Sequence, residues 1–180
     1  MFAACIVKPS MPPYALPVVL VKKKHGTWMI FVDYKRLIAV TMKSKFPMLV
    51  VDELLDELVG TKWFSKLDLR AGYHQIRLAP GEEHKTTFQT DFGHFEFLVL
   101  SFGLTGGPNT FNFALNETLS PCVREFVLLF FDDILVFSRN LHEHIEHLKE
   151  VFETLQQHQL YAKLSKCTFV QPQVEYLGHD

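Results

Sequence analysis

Cysteine is scarce in this chain: three residues in 180, at Cys5, Cys122 and Cys167, odd in number and far apart. Such spacing excludes a disulfide framework and a closely spaced zinc site, and it points to free thiols in a reducing compartment. No apolar run is long enough to cross a bilayer, and Met1–Pro13 lacks both the basic start and the sustained apolar stretch of a secretion signal. Internal repeats and low-complexity tracts are absent. Acidic residues are almost missing from the first fifty positions, where Asp33 stands alone against eight Lys and Arg, a net +7. The remaining 130 residues carry ten Lys and Arg against nineteen Asp and Glu, a net −9. A basic segment followed by an acidic one suits a protein that holds phosphates in one place and metal ions in another.

What is present is apolar and aromatic. Hydrophobic residues make up 48% of the chain and 17 are Phe, enough for a sizeable core in one domain, or one domain with a lobe. Four of the nine prolines fall in residues 1–17, which read as an extended entry segment. Leu16–Lys23 and Trp28–Tyr34 read as strands joined by a turn at His25-Gly26. Val51–Val59 reads as a helix stopped by Gly60, and Lys62–Asp68 as a strand ending on an acid. After a turn at Ala71-Gly72, Gln75–Leu78 reads as a further strand. Thr86–Thr90 and His94–Leu100 read as a hairpin around Phe92-Gly93, and Pro108–Leu119 as a helix.

Asn140, with Glu143 three residues later, reads as the cap of a long helix whose apolar stripe is Leu141, Ile145, Leu148, Phe152 and Leu155. The histidines of this helix, His142, His144 and His147, lie among Glu143 and Glu146. They lack the H-E-x-x-H spacing and read as its wet face. Short strands are expected at Leu160–Ala162 and Val174–Leu177. The pattern as a whole is α+β: an antiparallel sheet backed by two or three helices, with a strand-rich basic lobe.

Two adjacent carboxylates, Asp132 and Asp133, interrupt the apolar run Val127–Phe137. Each flank has the length of a buried strand, and a buried unpaired carboxylate is costly, so the pair belongs at an exposed turn. On local sequence a solvated hairpin turn is the commoner explanation. A metal site is the alternative. Asp68, at the end of another strand, would be its third member if the sheet brings the two ends together, since three such carboxylates suffice for two divalent ions.

The segments around these acids resemble the reverse transcriptase domain of gypsy-type long-terminal-repeat retrotransposons. The likeness runs from Ile6-Val7-Lys8-Pro9-Ser10 to Tyr176-Leu177-Gly178-His179. It includes Val21-Lys22-Lys23-Lys24, Val32-Asp33-Tyr34, Leu67-Asp68-Leu69-Arg70-Ala71-Gly72-Tyr73, Phe102-Gly103-Leu104-Thr105 and Phe130-Phe131-Asp132-Asp133-Ile134. The resemblance implies a right-hand polymerase palm with a partial fingers lobe: residues 1–67 and 79–105 mainly fingers-side, 68–78 and 106–180 mainly palm, and no thumb.

The same resemblance implies RNA-directed DNA polymerase activity, with Asp68, Asp132 and Asp133 as catalytic and metal-binding carboxylates for two Mg²⁺ ions, Mn²⁺ being the expected substitute. Lys23, Tyr73 and Phe102 become nucleotide-binding residues, and Leu177, Gly178 and His179 the primer-supporting turn. Implied partners are an RNA or DNA template with its primer and deoxynucleoside triphosphates, with no membrane. Thumb, RNase H and integrase would belong to the parent polyprotein. The location implied is intracellular, the cytoplasm before the nucleus.

The chain also departs from the family pattern. Met29 stands where an arginine is usual, Ile38 where an asparagine is usual, and Ser101 where a proline precedes Phe102-Gly103. Gly106-Gly107 and Asn112 are further departures. A thioether at 29 cannot supply a guanidinium's charge or forked donors. These changes keep two other functions open: a catalytically impaired retroelement remnant, and a nucleic-acid-binding module without turnover.

Overall fold

A computed structural model describes residues 6–11, 13–22, 26, 28–41, 54, 56–130 and 132–174. Strands and helices group into two compact units, one of residues 1–44 and 73–108, the other of 45–72 and 109–180. The chain passes from one unit to the other three times.

In the first unit, β1 (Val7–Pro9), β5 (Phe88–Thr90) and β6 (Gly93–Phe97) form an antiparallel sheet in the order β1-β6-β5. The β5–β6 connection is the expected hairpin, and Gly93 takes φ +124° there, a conformation that side-chain-bearing residues avoid. β2 (Val18–Lys22) and β3 (Trp28–Val32) pair as a separate two-stranded ribbon, as expected from the two apolar runs. Its outer residues Val19, Leu20 and Trp28 are exposed, and the Lys22 ammonium lies over the Trp28 ring.

A short helix, α1 (Lys35–Val40), follows, where the sequence suggested only the end of a strand; Ile38 on it packs against the core. That core gathers Val7, Leu16, Val32, Tyr34, Phe88, Phe97 and Val99. The expected strand at Gln75–Leu78 reduces to one bridge, Arg77 with Val99, because Gly72–Gln75 winds into a 3₁₀ turn first.

The second unit is built on a four-stranded antiparallel sheet, β7-β8-β4-β9. Its strands are β4 (Trp63–Asp68), β7 (Val127–Phe130), β8 (Asp133–Ser138) and β9 (Thr168–Gln171). Leu128, Leu135 and Phe137 face one side with Leu54, and Phe64 and Phe130 pack beside them. On the other side lie Leu67, Ile134, Val136 and Leu129, each at most 2% exposed, together with Ser65 and Ser138. The near-continuous apolar reading of Val127–Phe137 follows from burial of both faces.

Helix α2 (Gly107–Thr118) buries Phe111 and Leu115 at a spacing of four, with Leu119 just past its end. Helix α3 (Leu141–Gln157) packs on β8 and β4. Asn140 caps it by accepting from the Glu143 N–H at 3.0 Å. Its expected apolar stripe is only partly buried: Leu141, Ile145 and Phe152 are 41%, 57% and 38% exposed, whereas His144, Val151 and Leu155 form the inward face. The strand expected at Leu160–Ala162 is a single bridge from Ala162 to Leu69. β9 lies six residues beyond it, and a register shift opposite Phe64–Lys66 marks a bulge. Of the helix expected at Val51–Val59, Leu54 and Asp56 are helical and 57–59 turn ahead of Gly60, the other residues lying outside those described. The strand expected at Val174–Leu177 falls largely outside the described residues. Among those described, no helix is long and apolar enough to cross a membrane.

Candidate active site

The open end of the second unit's sheet carries the acids. β4 and β8 pair in register from Trp63 opposite Ser138 to Asp68 opposite Asp133. β7 and β8 pair from Val127 opposite Val136 to Phe130 opposite Asp133, so Asp132 stands exposed in their connection. Directly opposed residues of an antiparallel pair point to the same face, so Asp68 and Asp133 stand side by side at the ladder's last rung. The local reason is plain. β4 ends on Asp68 and β8 begins on Asp133, at the end of the sheet where both strands meet solvent.

Like charges directly opposite each other are destabilising, and each carboxylate has its own counter-ion. Lys66 Nζ lies 2.9 Å from Asp133 Oδ2. Lys66 is two residues before Asp68 on the same face of β4, diagonal to Asp133 across the ladder. Lys166 Nζ lies 2.6 Å from Asp68 Oδ2. That lysine is brought in by the chain before β9, where the Lys163 N–H donates to the Asp68 carbonyl at 2.8 Å and Arg70 N–H to the Tyr161 carbonyl at 2.8 Å. The hydrogen bond to Asp68 holds the Lys166 ammonium above the usual lysine range. The charges of Asp68, Asp132 and Asp133 act in the same direction, and partial burial opposes them. A cation at this point therefore feels all three acids.

In kind, the donors fit a hard divalent cation, which prefers carboxylate oxygens. Among the described residues, however, no three His, Cys, Asp or Glu side chains are drawn together as a ready-made metal cluster, and lysines engage two of the three acids. Immediately after Asp68, Ala71 turns at φ +49° and Gly72 packs on Phe111, where an added Cβ would meet the ring at 2.7 Å. Any side chain at 72 would push this turn off α2.

In the first unit, Tyr73 and Phe102 do come together, their ring centroids 4.7 Å apart and tilted by 58°. His74 meets the same Phe102 ring edge-on at 5.9 Å. Gly103 takes φ +100°, and a Cβ there would sit 3.2 Å from the Val32 carbonyl oxygen and 3.3 Å from the Tyr34 ring. The Tyr34 hydroxyl and Ser101 Oγ are 2.6 Å apart and buried. Lys23, Leu177, Gly178 and His179 lie outside the described residues, as does the side chain of Met29.

Residues 21–180 match the family described as reverse transcriptase (RNA-dependent DNA polymerase). The chain belongs to the reverse transcriptase family. Curated relatives agree: the fission-yeast (Schizosaccharomyces pombe) transposon Tf2-3 polyprotein is 36% identical over 174 residues, covering 97% of this chain and 13% of the polyprotein. The Tf2-7 polyprotein of the same organism is 36% identical over the same length. This reverse transcriptase-family chain thus spans about an eighth of the relatives it matches. Among solved structures, a foamy viral protease-reverse transcriptase in complex with double-stranded DNA superposes with a TM-score of 0.89 at 20% identity, over 98% of this chain and 31% of that one. The same viral enzyme in complex with an RNA/DNA hybrid gives 0.85 at 20%, over 96% and 23%. Those two likenesses establish the polymerase fold.

For this reverse transcriptase-family chain, three features of the site escaped the sequence reading. Lys66, inside the strand expected at Lys62–Asp68, and Lys166 were given no role at the acids; only strand register and the turn before β9 bring them there. The third is His144. Taken from sequence for part of a wet helix face, it is fully buried, whereas His142, Glu143 and Glu146 are exposed as expected. Cys122 and Cys167 are free thiols, and burial pushes the Cys122 thiol up to about 11, with Glu150 adding to the effect.

Proposed function

We propose that this chain is the fingers-and-palm part of an RNA-directed DNA polymerase that adds deoxynucleotides to a primer 3′-hydroxyl. The observation that carries this reading is the last rung of the β4–β8 ladder, where Asp68 and Asp133 oppose each other beside Asp132. The unit containing the acids is read as palm, and the other as fingers-side. The units themselves run 45–72 with 109–180 and 1–44 with 73–108, and the division into 1–67 with 79–105 as fingers-side and 68–78 with 106–180 as palm stands as part of this proposal.

Asp68, Asp132 and Asp133 would hold two Mg²⁺ ions, which when bound lower the pKa of the attacking hydroxyl and neutralise charge on the phosphates. The chain's own part is to present these oxygens on one rigid sheet end. Lys66 and Lys166 offset the charge of Asp133 and Asp68 at this rung until a metal competes for the carboxylates. Tyr73, backed by Phe102, is read as the floor beneath the incoming sugar, excluding a 2′-hydroxyl, and Lys23 as a triphosphate contact. Leu177, Gly178 and His179 are read as the primer support. Template and primer would be RNA or DNA, and thumb, RNase H and integrase would come from other parts of a polyprotein working inside the cell.

Primer extension on a poly-rA template with Mg²⁺ or Mn²⁺ tests this. Incorporation that disappears in an Asp132→Ala, Asp133→Ala variant is the expected result. Salt-sensitive RNA binding without incorporation would favour a binding module instead. Loss of both would leave a remnant, the outcome favoured by Met29 standing where the family usually carries an arginine.

A further inference from the structure

His144 is the most deeply buried titratable side chain of α3, and its two ring nitrogens serve two different strands. Nε2 is 2.8 Å from Ser65 Oγ on β4, and Nδ1 is 2.9 Å from Ser138 Oγ on β8. Ser65 Oγ also accepts the Val170 N–H of β9 at 2.9 Å, and Ser138 Oγ lies 2.8 Å from His147 Nδ1. His147 completes the chain on the outer side, stacked flat on Phe126 with ring centroids 4.0 Å apart.

Counting protons fixes the pattern. If His144 carried its proton on Nε2, or on both nitrogens, Ser65 would accept from both the ring and Val170. Its own hydroxyl proton would then have no acceptor among the described hydrogen bonds, in a site with no solvent exposure. With the proton on Nδ1, every group is used. Ser65 donates to Nε2, Nδ1–H donates to Ser138, and Ser138 donates to His147. Burial lowers the His144 pKa, with His147 acting in the same sense.

The strands joined in this way are those that carry the acid site. Ser65 lies three residues before Asp68, and Ser138 five after Asp133. Val170 lies four after Lys166, the counter-ion of Asp68. Val170 also takes φ +52°, rare for a β-branched residue, beside the shift in β4–β9 register. Its N–H bonds the Ser65 hydroxyl there. We infer that His144 is a positioning residue of the carboxylate site: a neutral, Nδ1-protonated imidazole clamp that fixes the registers of β4, β8 and β9 and so sets Lys166 and Asp133 against Asp68. This rests on reading the three aspartates as the metal carboxylates.

The groups facing the ring are Ser65 from β4, Ser138 from β8, the Val170 amide through Ser65 from β9, and His147 from α3 itself. Long-range proton–nitrogen NMR on the 180-residue chain reads the tautomer directly. The expected signature is a protonated Nδ1 and a bare Nε2, unchanged as pH falls through 6.5; an Nε2–H tautomer, or titration at 6.5, overturns the inference. Register is read by amide exchange at Asp68 and Asp133 under conditions where each variant remains folded by melting. His144→Leu should speed exchange there at least tenfold, and His144→Gln, which still offers one acceptor and one donor, should recover most of it. Equal exchange in His144→Leu and the unsubstituted chain overturns the inference. Mn²⁺ titration by water-proton relaxation separates the two readings. Weakened binding in His144→Leu supports the clamp. Absence of binding in the unsubstituted chain overturns the metal reading, and with it the site that the clamp is said to position.

Discussion

Single residues in this chain show how a departure from a family pattern is absorbed. Ser101, where a proline is usual, offers its hydroxyl to the buried Tyr34 phenol at 2.6 Å. Removing one partner of a buried hydrogen bond costs about 1–3 kcal/mol. Ser101→Ala should therefore lower stability by about that amount in urea unfolding, and loosen the Gly103 turn that backs onto the Tyr34 ring. Burial pushes the Tyr34 phenol up to about 12, the Ser101 bond acting the other way. Because the folded value lies above the unfolded one of about 10, this contribution to stability is intact below pH 10. It is lost as pH rises from 10 to about 12, and ultraviolet phenolate absorbance should show one tyrosine ionising only with unfolding.

Lys66 invites a second test at this scale. With Lys66→Met, the Asp68–Asp133 opposition loses a nearby positive charge. Stability should fall by about 1 kcal/mol at low salt, and the deficit should shrink in 1 M salt, where charges are screened within roughly 3 Å. A deficit independent of salt would mean that packing of the lysine stem, rather than its charge, is what matters.

At the scale of elements, legibility followed periodicity. β7 and β8 were readable as the apolar runs on either side of Asp132-Asp133, and β4 as a strand closing on Asp68. The β5–β6 hairpin was readable from Phe92-Gly93, and α3 from Asn140. The Asn140 cap accepts a bond from the Glu143 amide, and Asn140→Ala should cost about 1 kcal/mol, measurable as a lower denaturation midpoint with unchanged slope.

The inward face of α3 was misread for a physical reason. Histidine counts as polar in any periodicity, yet Ser65 and Ser138 supply bonds that make His144 a core residue. Those serines sit 79 and 6 positions from the histidine, a pairing that only the folded sheet creates. β9, at Thr168–Gln171, was not expected from the sequence: its pairing with β4 is interrupted by a bulge, which breaks the alternation that would announce a strand. At the acids, the sequence offered Asp68, Asp132 and Asp133 as candidates, and the opposition of Asp68 to Asp133 became visible only through register.

At the scale of the whole molecule, charge is the property that sequence reports most faithfully. The first fifty residues carry +7 and the rest −9. If the proposed template-primer partner is right, its binding should rest on phosphate contacts from the basic segment, while the acidic remainder repels the duplex except where metal intervenes. RNA affinity should then fall linearly on a log–log plot against salt, with a slope of about −0.7 per phosphate contacted on a single strand. Replacing Lys22 with Glu should flatten that slope by about one contact; an unchanged slope would remove the β2–β3 ribbon from the interface.

The position of β4 in its sheet has a further consequence, which concerns time. β4 is a central strand, yet its neighbours β8 and β9 begin 65 and 100 residues after its own end. A ribosome adding roughly 5–20 residues each second leaves β4 without either partner for several seconds, and without the second for longer. During that interval Phe64 and Leu67 are apolar side chains beside two unpaired backbone edges, the circumstances in which strands find the wrong companion. Nascent chains that stop short of residue 138 would expose this strand permanently. Birth, rather than the finished fold, is the moment at which this domain is most vulnerable to aggregation.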